Sequence, residues 1–522
     1  MATNSTASVA IPQPLASPRA GASRTQFISA ETRRLLYHSS HYLAGFTGNI
    51  IIGLVSFPIF TRVFSAAEYG TIDLAQRVLL IVTIACKAGF QNGALRFYDA
   101  TQFENNKQAA RSYYSTMLFG MLFTSSLVVL VVIVVCEQIP GLLPHGTVQT
   151  LLYFVCGIAL LRAAGSILWA FLRIEERTKA FNLTSVATKA GTVIAICTLL
   201  LFMERSAKAY FAGTAAVELL LVLGLIGGLL WRGMLSIHDF DRKLFRAGLL
   251  FGVPLVLYEF AFAVLGSADR FMVRHYLGAD ALGFYSVAHG LARNVNELLV
   301  APLGLAILPI YMRLWKSDGP EKTADFLNVA LNLFIAAAVG VLAIVTASAK
   351  PLVIILASDR YAGTERLVPI ILAALLVYAS HVFVAAGLLI QKKTLQMAGV
   401  LAIAAVLNVI LNVLLLPRIG LLGGALATLL SCTACIVALG AASKRFLRLR
   451  LQSRLVTNYL FAGALAWLTS LLITTSTPAV TLISRSCLSA AIYIGTLYLI
   501  DPQIRSGLQS VARRIQTAVA HP

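Results

Sequence analysis

Six basic side chains lie inside long apolar stretches of this 522-residue chain. A charge at the centre of a bilayer costs at least about 2.5–3.5 kcal/mol, so each one must face protein or a wet cavity. Intramembrane charges commonly mark substrate or ion sites. The six residues are Arg77, Lys87, Arg162, Lys189, Arg293 and Arg485.

Two of the apolar stretches carry a polar stripe along one helical face. At 100° per residue, each set of four polar residues falls within an arc of about 100° or less. The sets are Asp73, Arg77, Lys87 and Gln91 in the second predicted helix, and His289, Arg293, Asn296 and Glu297 in the eighth. We expect both stripes to face the interior of the protein.

Some of these charges have a simpler explanation. Asp73 and Arg77 are spaced i,i+4, at which opposite charges pair on a helix and can tie helices together. The same holds for Arg293 and Glu297. Three cations have no acid within one helical turn and need a more distant partner or a ligand: Lys87, Arg162 and Lys189.

Cations outnumber acids inside the first twelve predicted spans. The clearly intramembrane acids are Glu218, Glu259 and Glu297, against five cations. A net positive cavity suits phosphate or carboxylate, which Arg and Lys bind by charge-assisted hydrogen bonds. We therefore predict that an anionic substrate is bound by Arg77, Lys87, Arg162, Lys189 and Arg293.

The three acids have two interpretations. As counterions they would pair with the cations; as buried carboxylates they could also take up a proton or bind sodium during transport. Glu218, Glu259 and Glu297 are therefore candidate ion-coupling residues. No P-loop, H-E-x-x-H, G-x-S-x-G or zinc-ligand motif occurs, so we expect no catalytic residues, metal or cofactor, and a proton or sodium gradient is the candidate energy source.

The composition identifies the solvent as a bilayer. Hydrophobic residues make up 58% of the chain and charged residues 12%, against about 45–50% and about 25% in soluble domains. At about 20 residues a span, an all-α polytopic fold of about fourteen transmembrane helices is predicted. The predicted spans are 38–61, 71–95, 113–135, 148–171, 181–203, 209–231, 247–268, 283–311, 325–347, 367–390, 395–416, 420–442, 456–474 and 479–500.

The net charge of +20 indicates topology rather than a nucleic-acid partner. The tails and alternate connectors hold 27 Lys and Arg residues, whereas the other connectors hold 9. Since basic residues concentrate in cytoplasmic loops, we predict a multi-pass membrane protein with both termini in the cytoplasm.

A weak internal repeat suggests how the helices are grouped. The segment 62–70 resembles 274–283, and both place a basic residue and then a glycine before an even-numbered helix. Two six-helix halves are common in transporters. The predicted organisation is a disordered cytoplasmic tail 1–30, a first half 38–231, a second half 247–442, two further helices in 456–500 and a cytoplasmic tail 501–522.

Three segments resemble the polysaccharide biosynthesis proteins, the Wzx-type lipid-linked oligosaccharide flippases. Phe57–Gly70, continued by Leu95-Arg-Phe-Tyr98, is similar to the opening of that family. Gly266-Ser-Ala-Asp-Arg270 with Gly283-Phe-Tyr-Ser286 resembles a second-half signature, and Asn412–Ser431 resembles a hairpin between helices 11 and 12.

The resemblance implies the multidrug/oligosaccharidyl-lipid/polysaccharide exporter superfamily fold, in which two six-helix lobes form a V, two helices are added, and access alternates. It also implies a substrate of undecaprenyl pyrophosphate carrying a short glycan, moved across the bacterial inner membrane for O-antigen, capsule or exopolysaccharide assembly. The five cations would hold the diphosphate and acidic sugars while the lipid tail stays in the membrane. Polysaccharide polymerase and glycosyltransferases are the implied partners.

Two alternatives remain. A drug/cation antiporter of the same superfamily favours an acidic, aromatic cavity, whereas the predicted interior here is net positive. An integral membrane polysaccharide polymerase or ligase generally needs a large outward loop, and the longest predicted one, 348–366, has about 19 residues. A scaffolding role for glycosyltransferases would be additional to transport.

Overall fold

The computed structural model describes residues 45–99, 103, 106–138, 147–202, 205–501 and 505. The predicted tail 1–30 lies outside these residues, as does nearly all of 501–522. Within the described part the chain is helical and has no β-strand. Twelve stretches of it are long and apolar enough to cross a membrane, and one of these, Arg242–Val300, contains parts of two helices.

In the described part, fourteen helices correspond in order to the predicted spans, although the predicted span 367–390 is divided after Ala379, so the all-α polytopic fold is confirmed. They are α1 Gly45–Val63, α2 Ala66–Lys87, α3 Lys107–Gln138, α4 Thr147–Ile174, α5 Thr178–Phe202, α6 Ala207–Trp231, α7 Arg242–Leu265, α8 Ala268–Ser317, α9 Gly319–Leu356, α10 Leu367–Ala379, α11 Thr394–Ile419, α12 Leu421–Ser443, α13 Ser453–Ser470 and α14 Pro478–Ile500. We call the side at which the even-numbered helices up to α12 end the basic face, because it carries the predicted cytoplasmic connectors. The side at which they begin is the opposite face.

The predicted span 71–95 is wrong as a single helix. Helix α2 ends at Lys87, and Ala88 and Gly89 adopt positive φ angles of 45° and 74° before a short helix, Phe90–Phe97. Gly89 approaches α7 so closely that a Cβ there would lie 2.2 Å from the Cα of Gly252. Only glycine tolerates so close an approach in a left-handed conformation. Because the helix breaks there, the polar stripe changes direction after Lys87.

Two predicted outward connectors are wrong in part. Residues 269–282 belong to α8, which starts at Ala268 and is interrupted by Gly278 at φ 90° and ψ −174°. The segment 348–366 is helical as far as Leu356, where α9 ends. Both loops on the opposite face are therefore shorter than the hydropathy pattern predicts.

Each of the two lobes has its own main apolar core. One core consists of buried residues between Phe64 and Leu229. The main core of the second lobe lies between Val273 and Leu447, and Phe57 and Ala66 reach into it from the first lobe. Helices α13 and α14 pack on α9 through a separate small core. The fold is therefore two six-helix lobes with two added helices, while the exact domain limits stay predictions.

The lobes meet at the opposite face through two glycines. A Cβ on Gly70 of α2 would lie 2.7 Å from the nitrogen of Gly283 in α8, and one on Gly283 would lie 2.0 Å from the carbonyl oxygen of Ala66. These glycines end the two segments of the internal repeat. Small residues let helix backbones approach closely in membranes, so the repeat forms the contact between the lobes.

Arg485, in α14, has a structural explanation. Its Nε donates to the carbonyl of Ile473 at 2.9 Å, and its Nη1 donates to the carbonyl of Ala347 at 3.2 Å. Ala347 lies four residues before Pro351, which has no N–H to bond that carbonyl within α9. Arg485 thus supplies the hydrogen bond that the proline removes.

We expect Arg485→Leu to destabilise the protein by about 2–3 kcal/mol, since two carbonyls lose charged donors. In a Pro351→Ala background the same substitution should cost less, because the restored N–H of residue 351 can bond Ala347. Thermal unfolding of the four purified proteins in detergent measures both costs. Equal costs in the two backgrounds would contradict this role of Arg485.

Candidate functional site

Two adjoining cavities lie between the helices of the first lobe and α8. The large cavity has a volume of about 760 Å³ and the small cavity about 480 Å³. They adjoin each other, because they share four lining residues: Leu80, Arg162, Trp169 and Glu218. The small cavity lies towards the basic face, where α2 and α4 end, and the large cavity extends towards the opposite face.

The structure brings the five predicted substrate-binding cations around these two cavities. Four of them line the large cavity: Arg77, Arg162, Lys189 and Arg293. Lys87 lines the small cavity together with Arg162. The cations come from α2, α4, α5 and α8, so no single helix creates the site. Their role in binding stays a prediction.

The two cavities taken together are lined by more cations than acids. Their lining contains six cations, because Arg173 at the end of α4 joins the five predicted ones. It contains three acids, Asp73, Glu218 and Glu297. The predicted fourth span, 148–171, leaves Arg173 in a connector. Helix α4 continues to Ile174 and carries Arg173 to the small cavity.

Three of the cations have acidic partners. The Nη2 of Arg77 lies 2.8 Å from the Oδ1 of Asp73, and the Nε of Arg162 lies 3.0 Å from the Oε1 of Glu218. The Nε of Arg293 lies 3.7 Å from an oxygen of Glu297. Arg162 thus has a counterion from α6, although no acid lies within a turn of it in the sequence.

Two lysines differ from these arginines. Among the described residues, no acid lies within ion-pair distance of Lys87 or Lys189. The Nζ of Lys189 lies above Gly53 of α1, where an added Cβ would be 3.8 Å away. Both ammonium groups therefore stand in the cavities and can serve an incoming anion.

The three candidate ion-coupling acids lie in different surroundings. Glu218 and Glu297 line the large cavity and pair with arginines, as the counterion interpretation expects. Glu259 of α7 does not line either cavity and accepts a hydrogen bond from the Nε2 of Gln91 at 3.3 Å. A coupling role for the three stays a prediction.

Asp73 has a central position that the sequence pattern does not reveal. Its Oδ1 accepts from Arg77, while its Oδ2 accepts from the Nε of Arg270 at 3.1 Å and from the Oγ of Ser286 at 2.8 Å. Arg270 is completely buried and also donates to Asp269 at 2.8 Å. The predicted eighth span began at residue 283 and so left Arg270 in a loop, although its segment carried part of the family resemblance.

The rest of the large cavity is lined by uncharged polar, aromatic and aliphatic groups. On α1 and α5, the Nδ2 of Asn49 donates to the Oγ of Ser185 at 3.0 Å. On α4, the indole N–H of Trp169 donates to the Oγ1 of Thr184 at 3.2 Å. Further lining groups are Gln76, Thr188, Thr192, Asn294, Phe60, Tyr69 and Tyr210. Amides and hydroxyls can bond sugar hydroxyls, and aromatic rings supply apolar surface for a sugar face.

A family model described as "Polysaccharide biosynthesis protein" matches residues 38–315, more than half of the chain. The chain belongs to this family. The matched region contains every residue that lines the two cavities. No match was found among curated proteins.

Solved structures show the fold. The lipid II flippase MurJ, in an inward closed conformation, matches with a TM-score of 0.66 at 14% identity over 89% of this chain and 98% of that one. An inward-facing MATE multidrug transporter of the MOP superfamily matches with a TM-score of 0.63 at 11% identity, over 76% and 94%. The Vibrio cholerae MATE transporter VcmN matches at 0.52 and 13%, over 80% and 97%. The expected superfamily fold is confirmed.

We expect Arg162 and Glu218 to be energetically coupled. Glu218→Gln should cost about 1–2 kcal/mol of stability, because it leaves a half-buried guanidinium without its counterion. In an Arg162→Gln background the cost should largely disappear. The exposed pair Arg293 and Glu297 is the matched control and should couple by less than about 0.5 kcal/mol. Thermal unfolding of the proteins in the two double-mutant cycles measures both coupling energies. Additive effects of the substitutions at Arg162 and Glu218 would contradict the pairing.

Proposed function

We propose that the protein is a flippase that moves an undecaprenyl-pyrophosphate-linked oligosaccharide across the bacterial inner membrane by alternating access. The product would enter O-antigen, capsule or exopolysaccharide assembly. Membership of the polysaccharide biosynthesis family supports the pathway class, and a fold shared with a lipid II flippase supports the type of transport.

The observation that carries this proposal is the presence of Lys87 and Lys189 without acidic partners among the described residues. A diphosphate can satisfy several cations at once, because each of its oxygens accepts charge-assisted hydrogen bonds. Arg77, Arg162 and Arg293 keep acidic neighbours and can still donate through their remaining N–H groups. The site therefore carries a net positive charge before the anionic cargo binds.

The uncharged wall of the large cavity suits the glycan. Its amides and hydroxyls provide donors and acceptors, and its aromatic rings provide flat apolar surface. The volume of about 760 Å³ fits a short oligosaccharide rather than a polymer. The lipid tail would remain in the bilayer between the lobes, where burial in protein is unnecessary.

The alternatives are less well supported. A drug/cation antiporter shares the fold, but the excess of cations in the cavities disfavours cationic cargo. A polymerase or ligase would need a large outward loop, and among the described residues the longest connector on the opposite face is 357–366. A proton or sodium gradient would drive transport, both termini would be cytoplasmic, and the pathway's polymerase and glycosyltransferases would be the partners.

The substitution Lys87→Ala combined with Lys189→Ala should lower polymer output in a flippase-null strain at least tenfold at unchanged membrane levels, because it removes two cavity cations that have no ion-paired acid among the described residues. The Lys→Arg double variant should retain most of the output, since the charge is kept. Lys208→Ala, an exposed lysine at the start of α6, is the matched control. Normal polymer output after alanine replacement of Arg77, Lys87, Arg162 and Lys189 together would refute the anion site.

Glu259→Gln should lower flux in reconstituted vesicles and weaken its dependence on a proton or sodium gradient, because the carboxylate that could carry the ion is lost. Glu321→Gln, which removes an exposed carboxylate at the start of α9, should leave both unchanged. Unaltered flux and gradient dependence in the Glu259 variant would remove this residue from the coupling mechanism.

A further inference from the structure

The lobes are closed against each other at the opposite face. Beside the contact between Gly70 and Gly283, the Nη1 of Arg360 donates to the carbonyl of Phe64 at 2.9 Å, which joins the second lobe to the first. The Nη2 of Arg62 donates in the other direction, to the carbonyl of Ile355 at 2.6 Å. Cargo in the large cavity can leave on this side only after these contacts separate.

One carboxylate joins this closure to the cargo site. Asp73 is largely buried, with 14% of its side chain exposed. Its Oδ1 binds Arg77 of the same helix, whereas its Oδ2 binds Arg270 and Ser286 of α8 in the second lobe. Arg77, Asp73 and Ser286 all line the large cavity. The same group thus holds a cation of the proposed anion site and bridges the lobes.

We propose that Asp73 couples cargo binding to separation of the lobes. A phosphate that binds Arg77 competes with the Oδ1 of Asp73 and repels its charge, which weakens the hold of Asp73 on Arg270 and Ser286. The loaded protein then opens towards the opposite face. This inference rests on the proposed function, because it takes the cargo to be an anion.

The direction of the coupling follows from the two oxygens of the Asp73 carboxylate, which bind groups in different lobes. While the lobes are in contact, Arg270 and Ser286 hold Asp73 in place, so a phosphate at Arg77 meets a fixed and largely buried negative charge. Once the lobes separate, Asp73 can turn away into water. The phosphate therefore binds the separated state more tightly, and a ligand shifts a conformational equilibrium by such a difference in affinity.

The second lobe provides Arg270 with another counterion when Asp73 separates from it. Arg270 keeps Asp269 as a counterion at 2.8 Å. Asp269 in turn accepts from the hydroxyl of Tyr285 at 2.7 Å, within α8 itself. When the lobes part, Arg270 thus retains an ion pair and Arg77 gains the phosphate. No buried cation is left without a counterion, which would otherwise be strongly destabilising.

Distance measurements between spin labels at residues 208 and 280 test the proposal, because these exposed positions lie at the opposite face on α6 and α8. The protein is purified with its native cysteines replaced, and farnesyl pyrophosphate is the probe. The probe should shift the parent protein towards longer distances. Asp73→Asn should show the longer distances without the probe and respond no further.

Ser286→Ala is the sharper variant, because it removes one hydrogen bond to Asp73 and no charge. By the reciprocity of linked equilibria, weakening the closure should also tighten farnesyl pyrophosphate binding, by at least about fivefold. Lost charge repulsion cannot explain such a gain. Ser286→Thr keeps the hydroxyl and should restore the parent affinity and distances.

Asp318→Asn is the matched control. It removes an ion pair of similar length, 2.9 Å to Lys322, on the basic face and away from the cavities, and should behave as the parent. Failure of the parent to bind farnesyl pyrophosphate would refute the proposed function itself. Binding without a change in distance, or a Ser286→Ala variant equal to the parent in both measurements, would refute the coupling through Asp73 while leaving the anion site intact.

Discussion

The high free energy of a charge in lipid governs this molecule. Each intramembrane cation either finds a fixed partner or stands in a space that water can enter. Arg485 uses two backbone carbonyls, one of them released by a proline. Arg77 and Arg162 use carboxylates. Lys87 and Lys189 line the same cavities but have no ion-paired acid among the described residues, so a ligand can bind them without displacing a carboxylate.

Close approach of the helix backbones determines which charged side chains of different helices can meet. Lipid gives helices little hydrophobic reason to associate, so small residues and interhelical hydrogen bonds carry much of the packing. Gly70 and Gly283 bring α2 against α8, and only at that separation can Asp73 reach Arg270 and Ser286. The glycine contact and the ion-pair network therefore form one unit at the meeting point of the lobes.

The two cavities offer different groups to the two parts of a phosphorylated glycan. Lys87 and Arg173 make the small cavity strongly cationic, with Arg162 and Glu218 between the two spaces. The large cavity adds amides, hydroxyls and aromatic rings to its cations. This distribution is consistent with a cargo that is anionic at one end and rich in hydroxyls at the other.

The sequence by itself determined the class of fold, the number and order of the long helices and the excess of basic residues in the interior. These properties depend on the length of apolar runs and on composition, which are local. The break after Lys87 was not predictable, because it depends on Gly89 meeting Gly252 across two helices. Helix α8 was misjudged for a related reason, since Gly278 interrupts it without ending it.

The tertiary structure alone decided which charges on different helices meet. Helical periodicity shows the neighbours of a side chain on its own helix, so the pair Asp73 and Arg77 was expected. It cannot show that Glu218, 56 residues from Arg162, supplies its counterion. Nor can it show that Asp73 bonds Arg270, 197 residues away. Partners on different helices are set by how the helices pack, and that packing joins the candidate cargo site to the closure of the lobes.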